Sequence, residues 1–171
     1  HTGPVMTTTG VLMQREAISG VILAGGLGRR MGGVDKGLQQ LNGKPLVQHV
    51  AERLAPQVDE LLINANRNPE DYALLGQRIV PDQIPDFAGP LAGLHAALSA
   101  ARHPLVATAP CDSPFLPADL ISRLYSALTG ADADLAVART FDQTHPVFCL
   151  CKRILLPHLT AYLASGERKF G

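Results

Sequence analysis

From residue 18 onward, short apolar runs alternate with stretches of helical spacing, and that alternation leaves few architectures open. Residues 18–24 form an apolar, β-branched run closed by Gly25-Gly26, which reads as a buried strand. Residues 45–58 carry Leu46, Val47, Val50, Leu54 and Val58, the spacing of a helix, with Pro45 suited to its first position. Further strands are predicted over residues 59–64, 78–81, 104–109, 135–138 and 147–151. Further helices are predicted over 69–75, 91–98, 117–128 and 154–163, with Asp119 in the first turn of the third. Alternating elements of this kind imply an α/β layered domain around a mostly parallel sheet. The ligand site of such a sheet lies beyond the carboxyl ends of its strands. That rule selects Gly25, Gly26, Asn64, Asp82, Cys111 and Asp112 among the polar and glycine positions.

The connection after the first strand is unusual. Links in α/β units commonly take about 2–6 residues, yet about twenty pass here before the next helical pattern, with five glycines beyond Gly25-Gly26 and four cations among them. The glycines let backbone N–H groups approach an anion, while Arg29, Arg30 and Lys36 supply positive charge. A loop so composed is built to hold phosphates; the bland alternative is a flexible surface loop. Neither well-known phosphate motif fits. Gly28 and Gly33 have the spacing of the Walker loop, but Val34-Asp35 follow instead of Lys-Ser/Thr. Gly26 and Gly28 begin a dinucleotide fingerprint that then meets Met31, and the second strand ends in Asn64 rather than an acid.

The run Leu23-Ala24-Gly25-Gly26, then Arg29-Arg30-Met31-Gly32, then Asp35-Lys36 resembles the signature loop of the Rossmann-like nucleotidyltransferases. The segments RRMGGVDKGL and LNGKPLVQHV, with NANR at 64–67, GPLAGL at 89–94 and PCDSPFLP at 110–117, resemble the MobA-type molybdenum cofactor guanylyltransferases. The resemblance runs from about residue 19 to the last residue, and implies a single three-layer Rossmann-like domain over 18–171. It implies transfer of GMP from GTP to the phosphate of molybdenum-bound molybdopterin, with release of pyrophosphate. It also implies Mg²⁺ as cofactor with Asp112 as its ligand, and assigns Leu23, Ala24, Gly25, Gly26, Arg30, Lys36, Asn64, Asp82 and Asp112 to the nucleotide. Arg30, Lys36 and Asp112 carry the catalytic roles. Other cofactor-biosynthesis proteins and apo-molybdoenzymes are implied as partners. A further strand and an Asn-x-Asn-Thr-Pro segment are expected beyond Gly171. Residues 1–17 are read as an N-terminal extension, with residues 1–5 ahead of Met6 as a cloning remnant.

Each of these positions has a plainer reading beside it. Asp112 could cap the next helix, although four residues intervene before Pro117. Asn64 and Asp82 could simply form turns. Asp35 could pair with a loop cation or only shape a turn. Gly89 and Gly93, flanking Pro90, fit close approach to a ligand and tight helix-to-sheet packing equally well. His145-Pro146 could serve the second substrate, though a loop histidine is more often merely solvated. Cys149 and Cys151 lie two apart on a strand, face one side and read as packing. A sister enzyme using CTP or a sugar phosphate, or a regulator that binds GTP without turnover, remains open on the signature loop alone.

Composition narrows the setting. Fifteen acids balance fifteen Lys and Arg in 171 residues, so no global field attracts nucleic acid. No apolar run reaches the roughly 20 residues that span a bilayer, and the N-terminus lacks the pattern of a secretion signal. Three cysteines without a Cys-x-x-Cys favour neither a disulfide framework nor a zinc site. A cytoplasmic enzyme without membrane or nucleic-acid partners is expected.

Overall fold

The computed structural model describes residues 4–6, 12–14, 16–24, 30–31, 34–66, 69–73, 76–82, 90–138 and 148–164. Ahead of the main body, β1 (Pro4–Met6) pairs antiparallel with β2 (Leu12–Gln14). The central sheet is built from β3 (Ile18–Leu23), β8 (Glu60–Asn64), β9 (Arg78–Val80), β10 (Leu105–Pro110), β11 (Leu135–Ala138) and β12 (Phe148–Lys152). Their order is β11-β12-β10-β3-β8-β9. The pairs β10/β3, β3/β8 and β8/β9 are parallel, and only β12 runs against the rest. All six residues of β3 are buried, as are all six of β10. Such continuous apolar runs are what a strand covered on both faces requires.

The covering helices divide by face. Helix α1 (Leu46–Leu54) buries Val47, Val50 and Leu54, and with Tyr72 of α2 (Pro69–Ala73) and Leu120, Ile121 and Leu124 of α4 (Leu120–Gly130) packs on Ile18 and Ile22. On the opposite face, Leu94, Ala97 and Leu98 of α3 (Pro90–Ala100) and Leu156 and Leu159 of α5 (Leu156–Ala164) meet Val21, Leu23, Leu62 and Val80. The result is the expected three-layer α/β arrangement with a mostly parallel sheet. Cys149 and Cys151 lie buried in the second of these faces, with the Thr108 hydroxyl 3.0 Å from Cys149 Sγ, so their packing role holds.

Two features depart from the expectation. The long connection before α1 holds short ordered pieces: β4 (Arg30–Met31) pairs with β5 (Val34–Asp35), a 3-10 turn covers Lys36–Leu38, and β6 (Gln40–Leu41) pairs with β7 (Lys44–Pro45). The turn of the second hairpin is Asn42-Gly43 with φ of 53° and 81°, the left-handed backbone that Asn-Gly adopts readily. Pro45 is therefore the N-cap of α1 and also a strand residue opposite Gln40. Helix α4 begins three residues later than Pro117, so Asp119 is its N-cap residue and not part of the first turn. Its carboxylate makes no cap bond and pairs with Arg123 at 3.2 Å. The cap comes from elsewhere: the Ile121 N–H donates to Gln57 Oε1 at 2.9 Å, while Gln57 Nε2 donates to the Pro117 carbonyl at 3.0 Å.

Candidate active site

The carboxyl ends of four neighbouring strands are laced together by backbone hydrogen bonds. Ala24 N–H donates to Asn64 O at 2.7 Å, Ala65 N–H to Val80 O at 3.1 Å, and Cys111 N–H to Leu23 O at 3.1 Å. In consequence Leu23, Ala24, Asn64, Asp82 and Asp112 stand along one edge, in the lateral order Asp82, Asn64, Leu23-Ala24, Asp112. The strand-end rule applied to the sequence selected Asn64, Asp82 and Asp112 of this row, and the register of the parallel strands is what aligns them.

The described polar groups are held firmly. Asn64 is 1% exposed, and its Nδ2 donates to Val80 O at 3.0 Å and to Asp82 Oδ1 at 2.9 Å. Both amide hydrogens are thus used inside the protein, and only Oδ1 is left to meet a ligand. That oxygen lies against α3, where a Cβ at Gly93 would come within 3.0 Å of it. Gly93 therefore belongs to tight helix-to-sheet packing. Asp82 is half-buried, and its other oxygen accepts from Asn66 Nδ2 at 3.0 Å, while its N–H donates to Asn66 Oδ1 at 2.8 Å. Asn66, the third residue of NANR, is bound to Asp82 by this reciprocal pairing. One turn along the floor of α3, His95 is buried with Nε2 3.1 Å from the Thr160 hydroxyl of α5. Burial holds its basicity below the ordinary value, partly offset by the Asp82 carboxylate.

Asp112 follows β10 directly and is half-buried. The segment after it is clamped to α1, since Arg53 Nη1 donates to Leu116 O at 3.2 Å and Gln57 to Pro117 O. The Ile121 N–H in the first turn of α4 is taken by Gln57 and not by Asp112. Mg²⁺ takes one or two carboxylates and completes its shell with phosphates and water, so an aspartate at a strand end suits it. Among the described residues, no group of three His, Cys, Asp or Glu gathers to form a protein-only metal cage.

The glycine-rich connection returns to the same edge. A Cβ at Gly37 would lie 2.8 Å from the Tyr72 hydroxyl and 3.1 Å from both Cβ and Sγ of Cys111. Only glycine lets this backbone seat against the residue before Asp112, and that seat brings Lys36 to the Asp112 side of the row. Arg30 stands opposite Asp35 in the β4/β5 ladder. For Arg30 and Lys36 the backbone alone is described; Gly25, Gly26, Arg29, Arg67, Gly89 and His145-Pro146 lie outside the described residues. On the far side of Asp112 from Asn64 and Asp82, an apolar cavity of about 650 Å³ is lined by Phe115, Leu116, Leu120, Leu124, Val137 and Phe148. Phe115 is 73% exposed there. Nothing in the periodicity of the sequence marks this cavity, because it depends on β11 and β12 meeting α4.

A strand-end row of this kind on an α/β sheet, with Gly37 seated against Cys111 beside Asp112, suits a nucleotidyltransferase. The chain belongs to the family described as the MobA-like NTP transferase domain, whose model matches residues 20–171. It is 56% identical over 162 residues to a molybdenum cofactor guanylyltransferase of Burkholderia ambifaria (strain MC40-6), covering 90% of this chain and 79% of the relative. It is 52% identical over 163 residues to a protein of the same name from Cupriavidus necator, covering 92% and 82%. Among solved structures it resembles molybdopterin-guanine dinucleotide biosynthesis protein A from Archaeoglobus fulgidus, with a TM-score of 0.69 and 25% identity over 88% of this chain and 75% of that one.

Proposed function

We infer that the chain is a magnesium-dependent molybdenum cofactor guanylyltransferase, transferring GMP from GTP to the terminal phosphate of molybdenum-bound molybdopterin. The observation that carries this reading is the row Asp82, Asn64, Leu23-Ala24, Asp112 in a chain more than half identical to relatives of that name. The acceptor phosphate oxygen attacks the α-phosphorus of GTP, the bond to the bridging oxygen of the β-phosphate breaks, and pyrophosphate leaves. The attacking oxygen is already anionic, so no protein nucleophile is needed. What remains for the protein is positioning and charge neutralisation.

Asp82 holds the nucleoside on the β8/β9 side, with Asn64 behind it and Leu23 and Ala24 forming the floor. The loop with Gly25, Gly26, Arg30 and Lys36 carries the triphosphate, Arg30 gripping oxygens in a planar fork and Lys36 acting as a point charge. Asp112 would hold Mg²⁺, which supplies neutralisation of charge on the phosphate oxygens. The apolar cavity beyond Asp112 offers the organic part of the acceptor a surface on the side away from the nucleoside. Residues 18–171 act as one catalytic domain behind the extension 1–17. None of the three cysteines, all buried, forms a disulfide, which fits a reducing, cytoplasmic setting.

The test is pyrophosphate release from GTP, CTP, ATP and UTP, each with and without molybdenum-bound molybdopterin. Release from GTP only with the acceptor supports the reading, as does its loss in Asp112→Asn at saturating Mg²⁺ with the melting temperature unchanged. Equal release from CTP, or turnover by Asp112→Asn at the parent rate, would sink it.

A further inference from the structure

Asp82 is the most constrained polar group among the described residues of the row. One of its carboxylate oxygens accepts from Asn64 Nδ2 at 2.9 Å and the other from Asn66 Nδ2 at 3.0 Å. Its own N–H returns a bond to Asn66 Oδ1 at 2.8 Å, so Asn66 grips backbone and side chain together. Asn64 is itself fixed, because its second amide hydrogen is held by Val80 O at 3.0 Å. The carboxylate plane of Asp82 is therefore set by two amides, one on each oxygen.

An ionised carboxylate offers about four lone-pair sites, two on each oxygen. With one site on each oxygen taken, one on each remains, able only to accept. The complement of that fork is a ligand edge carrying two parallel N–H donors. Guanine has that edge, with N1–H beside the 2-amino group. Cytosine and adenine each set a ring-nitrogen acceptor beside their amino group, and the acceptor would face a carboxylate lone pair. Hypoxanthine keeps N1–H and lacks the amino group.

We propose that Asn66 is a specificity-determining positioning residue: by holding Asp82 from the side opposite Asn64, it presents the two-acceptor fork that selects guanine. The proposal rests on the guanylyl-transfer reading above and adds to it the residue that sets base choice. Asn66 itself is exposed and at the far end of the row from Asp112, so it acts through Asp82 and not on the reacting phosphate.

The experiment compares GTP with inosine triphosphate, which differs only by the missing 2-amino group, in the parent, Asn66→Ala, Asn66→Asp and Asp82→Asn. The parent should prefer GTP by about 10–100-fold in kcat/KM, the worth of one hydrogen bond to a charged acceptor. Asn66→Ala keeps the carboxylate but frees it to turn. Its KM for GTP should rise about tenfold at unchanged kcat, and its preference for GTP should fall towards unity. Asn66→Asp, isosteric but without the donor, should behave alike, and Asp82→Asn should lose the preference altogether. A merely structural role for Asn66 would lower affinity for both nucleotides equally and leave the ratio as in the parent, which overturns the proposal. So would Asn66→Ala with parental KM and ratio. If the parent releases no pyrophosphate from GTP, the guanylyl-transfer reading has failed separately. Calorimetric binding of GTP and inosine triphosphate to the same proteins then decides the Asn66 role, equal affinities in parent and variant overturning it.

Discussion

At the scale of single residues, the site depends on a few positions that tolerate no substitute. Gly93→Ala would ordinarily favour a helix by about 1 kcal/mol. Here the added Cβ would stand 3.0 Å from Asn64 Oδ1 and from Leu23 Cδ2, and Asn64 cannot yield because both of its amide hydrogens are engaged. The substitution should therefore destabilise by about 1–3 kcal/mol, as overpacking does, and raise KM for GTP. Unfolding curves and steady-state kinetics on one preparation check both. Lys36, proposed above for the triphosphate, is the opposite case. Lys36→Ala should change stability by no more than about 0.5 kcal/mol while slowing single-turnover GMP transfer by roughly 10²–10³. Lys36→Arg should rescue only in part, because a planar guanidinium replaces a compact ammonium. Unfolding of Lys36→Ala, or transfer at the parent rate, would remove Lys36 from the triphosphate. The strand-end positions of Asp82 and Asp112 were legible in the sequence because strand ends announce themselves through apolar, β-branched runs. Asn66 was not, since its role is a reciprocal hydrogen bond across sixteen residues that no local pattern encodes.

At the scale of elements, long apolar runs and helical periods were read with ends misplaced by a few residues. The misses come from local chemistry that the periodic pattern hides. Asn42-Gly43 between Leu41 and Lys44 is a hairpin signal, yet its strands are too short to alternate visibly. The start of α4 was placed early because Asp119 suits a first turn, whereas its cap is Gln57, some sixty residues earlier in the chain. The contact between α3 and α5 is likewise invisible in sequence and carries its own pH dependence. The Thr160 hydroxyl donates to Leu156 O at 2.9 Å, so it accepts from His95 Nε2–H, and the neutral ring places its bare nitrogen at Nδ1. Nδ1 is buried with no hydrogen-bond partner among the described residues, so a proton there would sit unpaired in the interior. Burial first, opposed by Asp82, leaves the folded-state pKa below the ordinary 6.5. The unfolded chain then binds the proton more readily. The contribution of this contact is complete above about pH 6.5 and declines as pH falls from there towards the lowered folded value. Between pH 7 and 5 the parent should lose more melting temperature than His95→Gln, measured side by side; equal losses would show that His95 is not the titrating group.

At the scale of the whole molecule, stability and chemistry sit at opposite edges of one sheet. Away from the site, at the start of β3 and β8, the buried Ser19 hydroxyl donates to Glu60 Oε1 at 2.6 Å, and the Arg102 N–H donates to the same oxygen at 3.0 Å. The Arg102 guanidinium adds an ion pair at 3.6 Å. Burial alone would raise the pKa of Glu60 and favour the neutral form, but these donors outweigh it and hold the pKa below 4.5. A depressed carboxylate contributes stability above its unfolded value and loses it as pH falls through the folded one. Glu60→Gln should therefore flatten the decline in stability below about pH 4.5 while leaving guanylyl transfer at neutral pH unchanged; an acid limb identical to the parent's would refute this. The layered α/β plan was legible from alternation alone. The reversed direction of β12 was not, because strand polarity in the sheet is decided by long-range pairing.

The strand order also sets a schedule for synthesis on the ribosome. Strands β3, β8 and β9 are the first three strands of the central sheet in chain order and are adjacent within it, so the half bearing Leu23, Asn64, Asn66 and Asp82 can pair as soon as it emerges. The other flank of β3 must wait for β10, and with it Asp112, to be made. Pairing across so long a separation is slow, whereas translation adds about 5–20 residues per second and domains form from the N-terminus. The nascent chain therefore carries Asn64, Asn66 and Asp82 before Asp112, the carboxylate proposed for Mg²⁺, has been made. Ribosome-bound chains arrested just before β10 should already protect the β3 and β8 amides from hydrogen exchange, and full exchange at both strands would show that the sheet assembles only when complete.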